Sequence, residues 1–326
     1  VDAVVLAGGY ATRLWPITRH RPKMLLPLGE TTVVDRIYDK LEAEDRIETV
    51  YVSTNERFAD DFRARLAKRS YDKPQLSVEE TRTEAEKFGV VSGLAELLER
   101  EGIDDDLLVV AGDNLFEFAI GDFLEYYDRT EAPTIAAVDV GSPERAVGYG
   151  VVDLEDDRVV DFREKPDDPR GTYVSVGCYA FPRETLSLLS QYLEAGNDPD
   201  EPGWFVRWLR SREPTYAYTF EGAWFDIGTR ERYLDAVAWH LDGGSRVADA
   251  ASLENTTIGA GVHVMADATL VDATVARAVI FPGVALEATT VRGSIVDEGA
   301  TLGEIALRDA IIGAYTRIPT PDGVSE

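Results

Sequence analysis

The chain has little of what builds soft-metal and redox sites. A single cysteine, Cys178, among 326 residues excludes an intramolecular disulfide, and three scattered histidines, His20, His240 and His263, make no Cys/His metal cluster. Cys178 lies in the apolar stretch VSVGCYAF and reads as packing, not as a nucleophile. Any metal must therefore be held by oxygen. Apolar runs approaching the ~18 residues of a membrane span are absent. The opening VDAVVLAGG also lacks a basic n-region and a cleavage site, so the expectation is a soluble, cytoplasmic protein with no membrane partner. Positive charge is scarce as well: Lys+Arg 33 against Asp+Glu 60 leaves a net charge of −27. That field repels phosphate backbones and anionic lipid, which argues against nucleic acid as a partner. Enough remains for a large core, with 44% hydrophobic and 10% aromatic residues, so the charge does not imply disorder.

Lysine is the rarest of the common charged residues, present only at positions 23, 40, 68, 73, 87 and 165. Abundant carboxylates with few lysines suit a surface adapted to molar salt, as in a halophile, where self-repulsion is screened and exposed acids stay hydrated.

Up to about residue 240 short apolar runs alternate with amphipathic stretches. Ala3 to Ala7, Thr49 to Ser53 and Leu107 to Ala111 read as buried strands, rich in Val and Leu. Val33, Val34, Ile37, Tyr38 and Leu41 keep helical spacing between them, as do Phe58, Phe62 and Leu66, then Val90, Leu94, Leu97 and Leu98. Such alternation predicts a mainly parallel α/β sheet covered by helices. After residue 130 consecutive strand-like runs (134–140, 150–154, 159–163 and 173–181) predict an antiparallel portion of the same domain. Asp242-Gly243-Gly244-Ser245 reads as a linker. Beyond it, aliphatic residues recur from Ile258 to Ile318 in steps of 6, 6, 5, 5, 6, 5, 5, 6, 5, 5 and 6. That beat fits neither helix nor hairpin and resembles a left-handed parallel β-helix of hexapeptide repeats, with Val264, Ile280, Val296 and Ile312 one coil apart. The expected domains are 1–241, a linker 242–252, and a β-helix over 253–326.

The chemistry concentrates first at Val5-Leu6-Ala7-Gly8-Gly9-Tyr10-Ala11-Thr12-Arg13-Leu14-Trp15-Pro16 and Arg21-Pro22-Lys23-Met24-Leu25-Leu26-Pro27. A buried strand ending in Gly-Gly lets backbone N–H groups approach a nucleotide, and Arg13 and Lys23 could converge on its phosphates. Neither a dinucleotide fingerprint nor a Walker loop occurs.

These two segments resemble the signature of the sugar-1-phosphate nucleotidylyltransferases, L-A-G-G-x-G-T-R-L-x-P followed by P-K-x-L-L-P. Ala11 stands at that family's third glycine; if the backbone there takes a positive φ, alanine costs about 1 kcal/mol. Further matches follow in the family's order. Gly112-Asp113-Asn114 resembles G-D-N, Glu164-Lys165-Pro166 resembles E-K-P, and Trp224-Phe225-Asp226-Ile227-Gly228-Thr229 resembles W-x-D-x-G-T. The resemblance implies a Rossmann-like mixed-sheet nucleotidyltransferase domain. It further implies that Asp113 and Asp226 ligate Mg²⁺, that Glu164 reads sugar hydroxyls and that Lys165 meets the sugar phosphate. Leu6, Ala7, Gly8, Gly9, Thr12 and Arg13 would line the nucleotide, with Gly89 and Glu84 or Glu86 at its base, while Gly150 and Gly177 would border the sugar. Homo-oligomers are also implied.

Joining a hexose-1-phosphate to a nucleoside triphosphate brings two polyanions together, so the catalyst must neutralise and align rather than supply a nucleophile. On this reading Arg13 holds the β/γ-phosphates, Lys23 stabilises the α-phosphoryl group in the transition state and Lys165 positions the attacking oxygen. No general base is needed, because a phosphate monoester is already ionised at pH 7. A catalytically silent homologue would have lost Arg13, Lys23 or a metal Asp, and all are present. An acyltransferase working on the coil would want a base there, where His263 alone stands near the first turn. For the substrates, Gly112-Asp113-Asn114-Leu115-Phe116 resembles the glucose-1-phosphate thymidylyl- and uridylyltransferases, giving glucose-1-phosphate with UTP or dTTP as the expectation. The Arg13-Leu14-Trp15-Pro16 run resembles the mannose-1-phosphate guanylyltransferases, which are the alternative.

Overall fold

A computed structural model describes residues 1–81 and 89–319. The chain forms two compact units, one of Val1–Gly9 with Val34–Trp224 and one of Tyr10–Val33 with Phe225–Glu326.

The first unit is built on a nine-stranded sheet in the order Pro74–Glu79, Val50–Asn55, Asp2–Leu6, Leu107–Ala111, Tyr173–Phe181, Thr134–Asp139, Tyr216–Phe220, Arg158–Arg163 and Val151–Glu155. Its first four strands are parallel. Asp2–Leu6 lies between two neighbours, and Ala3, Val4 and Val5 are wholly buried, which is why this strand reads as an unbroken apolar run. Tyr173–Phe181 then enters antiparallel, pairing Cys178 with Val110 on one side and Val174 with Val138 on the other. The expected antiparallel portion thus extends the same sheet. Cys178 is buried and free, and burial pushes its thiol pKa up, as a packing residue requires. Helices Val33–Glu42, Ala59–Ala67, Val90–Glu101 and Ile120–Thr130 connect the strands. Among the described residues no helix is long and apolar enough to cross a membrane.

In the second unit the repeat becomes a coil of short parallel strands. Val264 pairs with Ile280, Ile280 with Val296 and Val296 with Ile312, so the spacing read from the sequence is one turn of the coil. Val264, Leu270, Val275, Ile280, Leu286, Val291, Val296 and Leu302 point inward and are at most 1% exposed. Ile258, Ile312 and Ile318, towards the ends of the repeat, are half-buried.

The expected boundaries need correction. Residues 242–252 are not a tether. Gly243 turns the chain at φ 71, Ser245–Val247 is already a coil strand pairing with Val262–Val264, and Ser252 pairs with Thr269. Nor does 1–241 close as one unit. Residues 10–33 and the helix Arg230–His240 pack with the coil, through the Tyr233 hydroxyl donating to Pro27 O at 2.7 Å, Arg277 on Asp235 at 2.6 Å and Arg21 on Asp297 at 2.9 Å. Tertiary docking of this kind leaves no trace in local periodicity.

Candidate active site

The first unit carries the strand exit and one group of motif residues. Where Asp2–Leu6 ends, Ala7 N donates to Ser53 O at 2.7 Å and the Asn55 amide donates to Gly8 O at 2.9 Å. These bonds fix the turn from behind. A Cβ on Gly8 would meet nothing within 4 Å, so the backbone of this unit faces open space there, as a phosphate-approaching turn should. Gly112 N donates to Leu6 O at 2.9 Å, tying the next strand's exit to the first. Asp113 follows, half-buried. Its Oδ1 accepts from Asn114 Nδ2 at 2.9 Å, and Asn114 Oδ1 accepts in turn from the Trp224 indole at 2.7 Å. Asn114 and Trp224 thus orient the carboxylate, a role the sequence reading did not assign to them.

A second cluster surrounds Glu164. Its side chain is 9% exposed, and burial, then the Glu201 carboxylate, push its pKa up to about 7 against the opposing pull of Lys165. Two glycines make room for it: a Cβ at Gly150 would lie 3.2 Å from Glu164 Oε2, and one at Gly203 would lie 1.7 Å from it. Lys165 sits in the left-handed region at φ 42, its N–H donates to Tyr149 O at 3.1 Å, and its ammonium pairs with Glu201. Strain of this kind in a non-glycine residue gathers at functional sites. Gly177, φ 70, backs on to the strand exit, where an added Cβ would lie 2.8 Å from the Ala111 Cβ. Glu201 and Gly203 were missed in the sequence. The Pro202-Gly203 start of a helix was the only signal, and it marks structure rather than chemistry. Gly89 has a reason of its own, since a Cβ there would lie 2.5 Å from Pro199 O. Glu84 and Glu86 lie outside the described residues.

The second unit carries the other group. Ala11 adopts φ 47, ψ 50, so the family's glycine position does demand a left-handed backbone and this chain meets it with alanine. Thr18 Oγ1 donates to Ala11 O at 2.8 Å, and Leu14 N donates to the same oxygen at 3.0 Å. Thr12 and Arg13 follow in a short 3₁₀ turn, both exposed. Arg13 and Asp226 converge on Gly228: a Cβ there would lie 3.4 Å from Arg13 Nη2 and 3.1 Å from Asp226 Oδ1. Asp226 Oδ2 also pairs with Arg232 at 2.8 Å, another residue the motif reading passed over. Lys23 opens the 3₁₀ turn Lys23–Leu25 after an extended Pro22. His20 is exposed.

Among the described residues no three His, Cys, Asp or Glu side chains form a metal cage. Mg²⁺ typically takes one or two carboxylates and completes its shell with water and phosphate oxygens, and a carboxylate such as Asp113 in the first unit or Asp226 in the second is a donor of that kind.

The family model described as nucleotidyl transferase matches residues 2–242, and the chain belongs to that family. A Mycobacterium tuberculosis mannose-1-phosphate guanylyltransferase is 32% identical over 236 residues, covering 72% of this chain and 63% of that protein. A Sulfolobus acidocaldarius protein, predicted to be a mannose-1-phosphate guanyltransferase, is 31% identical over 235 residues, 72% of this chain and 61% of its own. The chain thus spans about three-fifths of the length of these curated relatives. A Bacillus anthracis structure, of a protein predicted to be a glucose-1-phosphate thymidylyltransferase, superposes with a TM-score of 0.64 at 24% identity over 74% of this chain and 95% of that one. That likeness is one of fold.

Proposed function

We propose that the chain transfers a nucleoside monophosphate from a nucleoside triphosphate to a hexose-1-phosphate, releasing pyrophosphate. The observation that carries this reading is the Asp2–Leu6 exit: a buried strand opening on Gly8, with the Asp113 turn hydrogen-bonded to its last carbonyl. A phosphate oxygen of the sugar phosphate attacks the α-phosphorus, and the bond to the β-phosphate oxygen breaks. Lys165 orients the attacking phosphate once Glu201 yields it, Arg13 holds the departing β/γ-phosphates, and Lys23 offsets charge on the α-phosphoryl group. Mg²⁺, held by Asp113 and Asp226, would supply further neutralisation of phosphate charge. Glu164 contacts sugar hydroxyls, and the Gly8–Gly9 backbone faces the nucleotide.

For the substrates, the guanylyltransferase relatives at 31% and 32% identity and the Arg13–Pro16 run favour GTP with mannose-1-phosphate. The Gly112–Phe116 run carries a second reading, glucose-1-phosphate with UTP or dTTP. A coil-based acyltransferase has less support, because His263 is only 4% exposed. We also propose homo-oligomers and a surface adapted to molar salt.

Pyrophosphate release measured over a panel of triphosphates and sugar phosphates tests the reaction. Turnover with one pair at a kcat/KM tenfold above the rest, about 1.4 kcal/mol of transition-state preference, assigns the substrates, and no turnover with any pair defeats the reading. Asp113→Asn and Asp226→Asn should each lose at least a hundredfold in kcat with circular dichroism unchanged, while EDTA abolishes wild-type turnover. Near wild-type kcat in either variant at saturating Mg²⁺ would remove that residue from the metal.

A further inference from the structure

The signature segment 10–33 belongs to the same compact unit as the coil, and one ion pair joins the two at its most sensitive point. Arg21 Nη1 lies 2.9 Å from Asp297 Oδ1 and Nη2 lies 3.5 Å from Glu298 Oε2. The guanidinium also stacks on the Phe281 ring, 4.6 Å from its centroid. Asp297 is no flexible surface partner. It is 1% exposed, its N–H donates to Ile312 O at 3.0 Å, and its Oδ1 accepts from Glu298 N at 2.9 Å. Its other oxygen, Oδ2, is buried without a hydrogen-bond partner. A buried carboxylate in this position is costly unless an opposing charge stays in place, so Arg21 is held firmly.

The consequence falls on Lys23. Only Pro22 separates it from Arg21, with φ −67 and ψ 145; its ring locks that φ and restricts the Arg21 backbone before it. Wherever the coil puts Arg21, the start of the Lys23–Leu25 turn follows. A second contact works in the same sense: a Cβ at Gly313 would lie 2.9 Å from Pro16 Cγ, so the coil backbone also abuts the segment just past Arg13.

We infer that Arg21 and Asp297 are positioning residues for the transfer reaction, the coil acting as the rigid template that sets Lys23. This rests on the proposed function, since it takes Lys23 as the group that meets the α-phosphoryl. Asp297, 1% exposed, acts in this proposal through Arg21.

The test is a double-mutant cycle in the full chain, with kcat and both KM values measured for Asp297→Asn, Lys23→Gln and the two together. Expected are a tenfold or greater loss of kcat for Asp297→Asn, a KM for the sugar phosphate within twofold of wild type, and a double variant within threefold of Lys23→Gln alone. Arg277→Ala, which breaks another ion pair of the same unit, should leave kcat within twofold. If Asp297→Asn does not fold, Arg21→Lys replaces it in the cycle, keeping the charge but losing the two-point grip. Overturning results are an Asp297→Asn kcat within twofold of wild type, or equal fractional losses with and without Lys23. A wild-type chain without turnover defeats the function reading instead, and the inference with it.

Discussion

At Ala11 the chain accepts a left-handed backbone, φ 47, where the family signature has glycine, and the Cβ of an L-residue crowds its own carbonyl there. Ala11→Gly should raise stability by up to ~1 kcal/mol, or about 1–2 °C in Tm by calorimetry. An unchanged or lower Tm would mean that the Thr18 and Leu14 bonds to Ala11 O already absorb the strain. Glu164 poses the opposite problem, a carboxyl enclosed between Gly150 and Gly203. Its pKa is raised to about 7 from an ordinary 4.5, so the folded state binds a proton more tightly than the unfolded one. Its contribution to stability is therefore fully present below about pH 4.5 and is lost as pH rises towards and through 7. Glu164→Gln carries no charge to desolvate. The unfolding free energy of this variant minus that of wild type, from denaturant titrations, should grow between pH 5 and pH 8, towards an upper bound of about 3 kcal/mol. A difference independent of pH would return Glu164 to an ordinary carboxyl.

Elements with a local signature were legible before any coordinates. The apolar Ala3–Leu6 core of the first strand, the Tyr173–Phe181 strand and the repeat through Val264, Ile280, Val296 and Ile312 all follow from burial on a fixed period, and each is where the residues put it. Asp113 and Glu164 were legible as motif members, but their surroundings were not. Glu201 is an ordinary acid until Lys165 meets it, and Asn114 an ordinary amide until Trp224 holds its far side. The largest misreading, the linker, had the same origin. Asp242-Gly243-Gly244-Ser245 has the composition of a tether, yet two glycines serve a tight turn into a coil strand equally well, and only the pairing of Ser245 with Val262 decides.

At the scale of the whole molecule the excess of 27 negative charges acts on every described surface at once. Many carboxylates do have cations beside them, as Arg163 has Asp153 and Asp161, but 60 acids against 33 bases leave most of the repulsion to be screened by solvent. If this is adaptation to salt, Tm and turnover should both rise from low to molar KCl. A flat or falling response would reduce the charge to an accident of composition.

The division into units makes a sharper demand. A chain cut after Asp242 keeps every family motif and would, on sequence grounds, remain a complete catalytic domain that merely assembles differently. The structure argues otherwise, because residues 10–33 fold into the unit that contains the coil. Truncation would strip Arg21 of Asp297 and Glu298 and take away the Gly313 backbone beside Pro16. The Tyr233 bond to Pro27 O and the packing of Gly29 against His240 would stay, but the stretch from Pro16 to Arg21 would lose the coil contacts that hold it against its conformational entropy. The truncated chain should therefore keep the nine-stranded sheet, seen as a cooperative thermal transition, while losing at least a hundredfold in kcat. Its residues 10–33 should exchange amide hydrogens much faster than in the full chain. Retention of turnover within tenfold of the full chain would show that the segment holds its conformation without the coil.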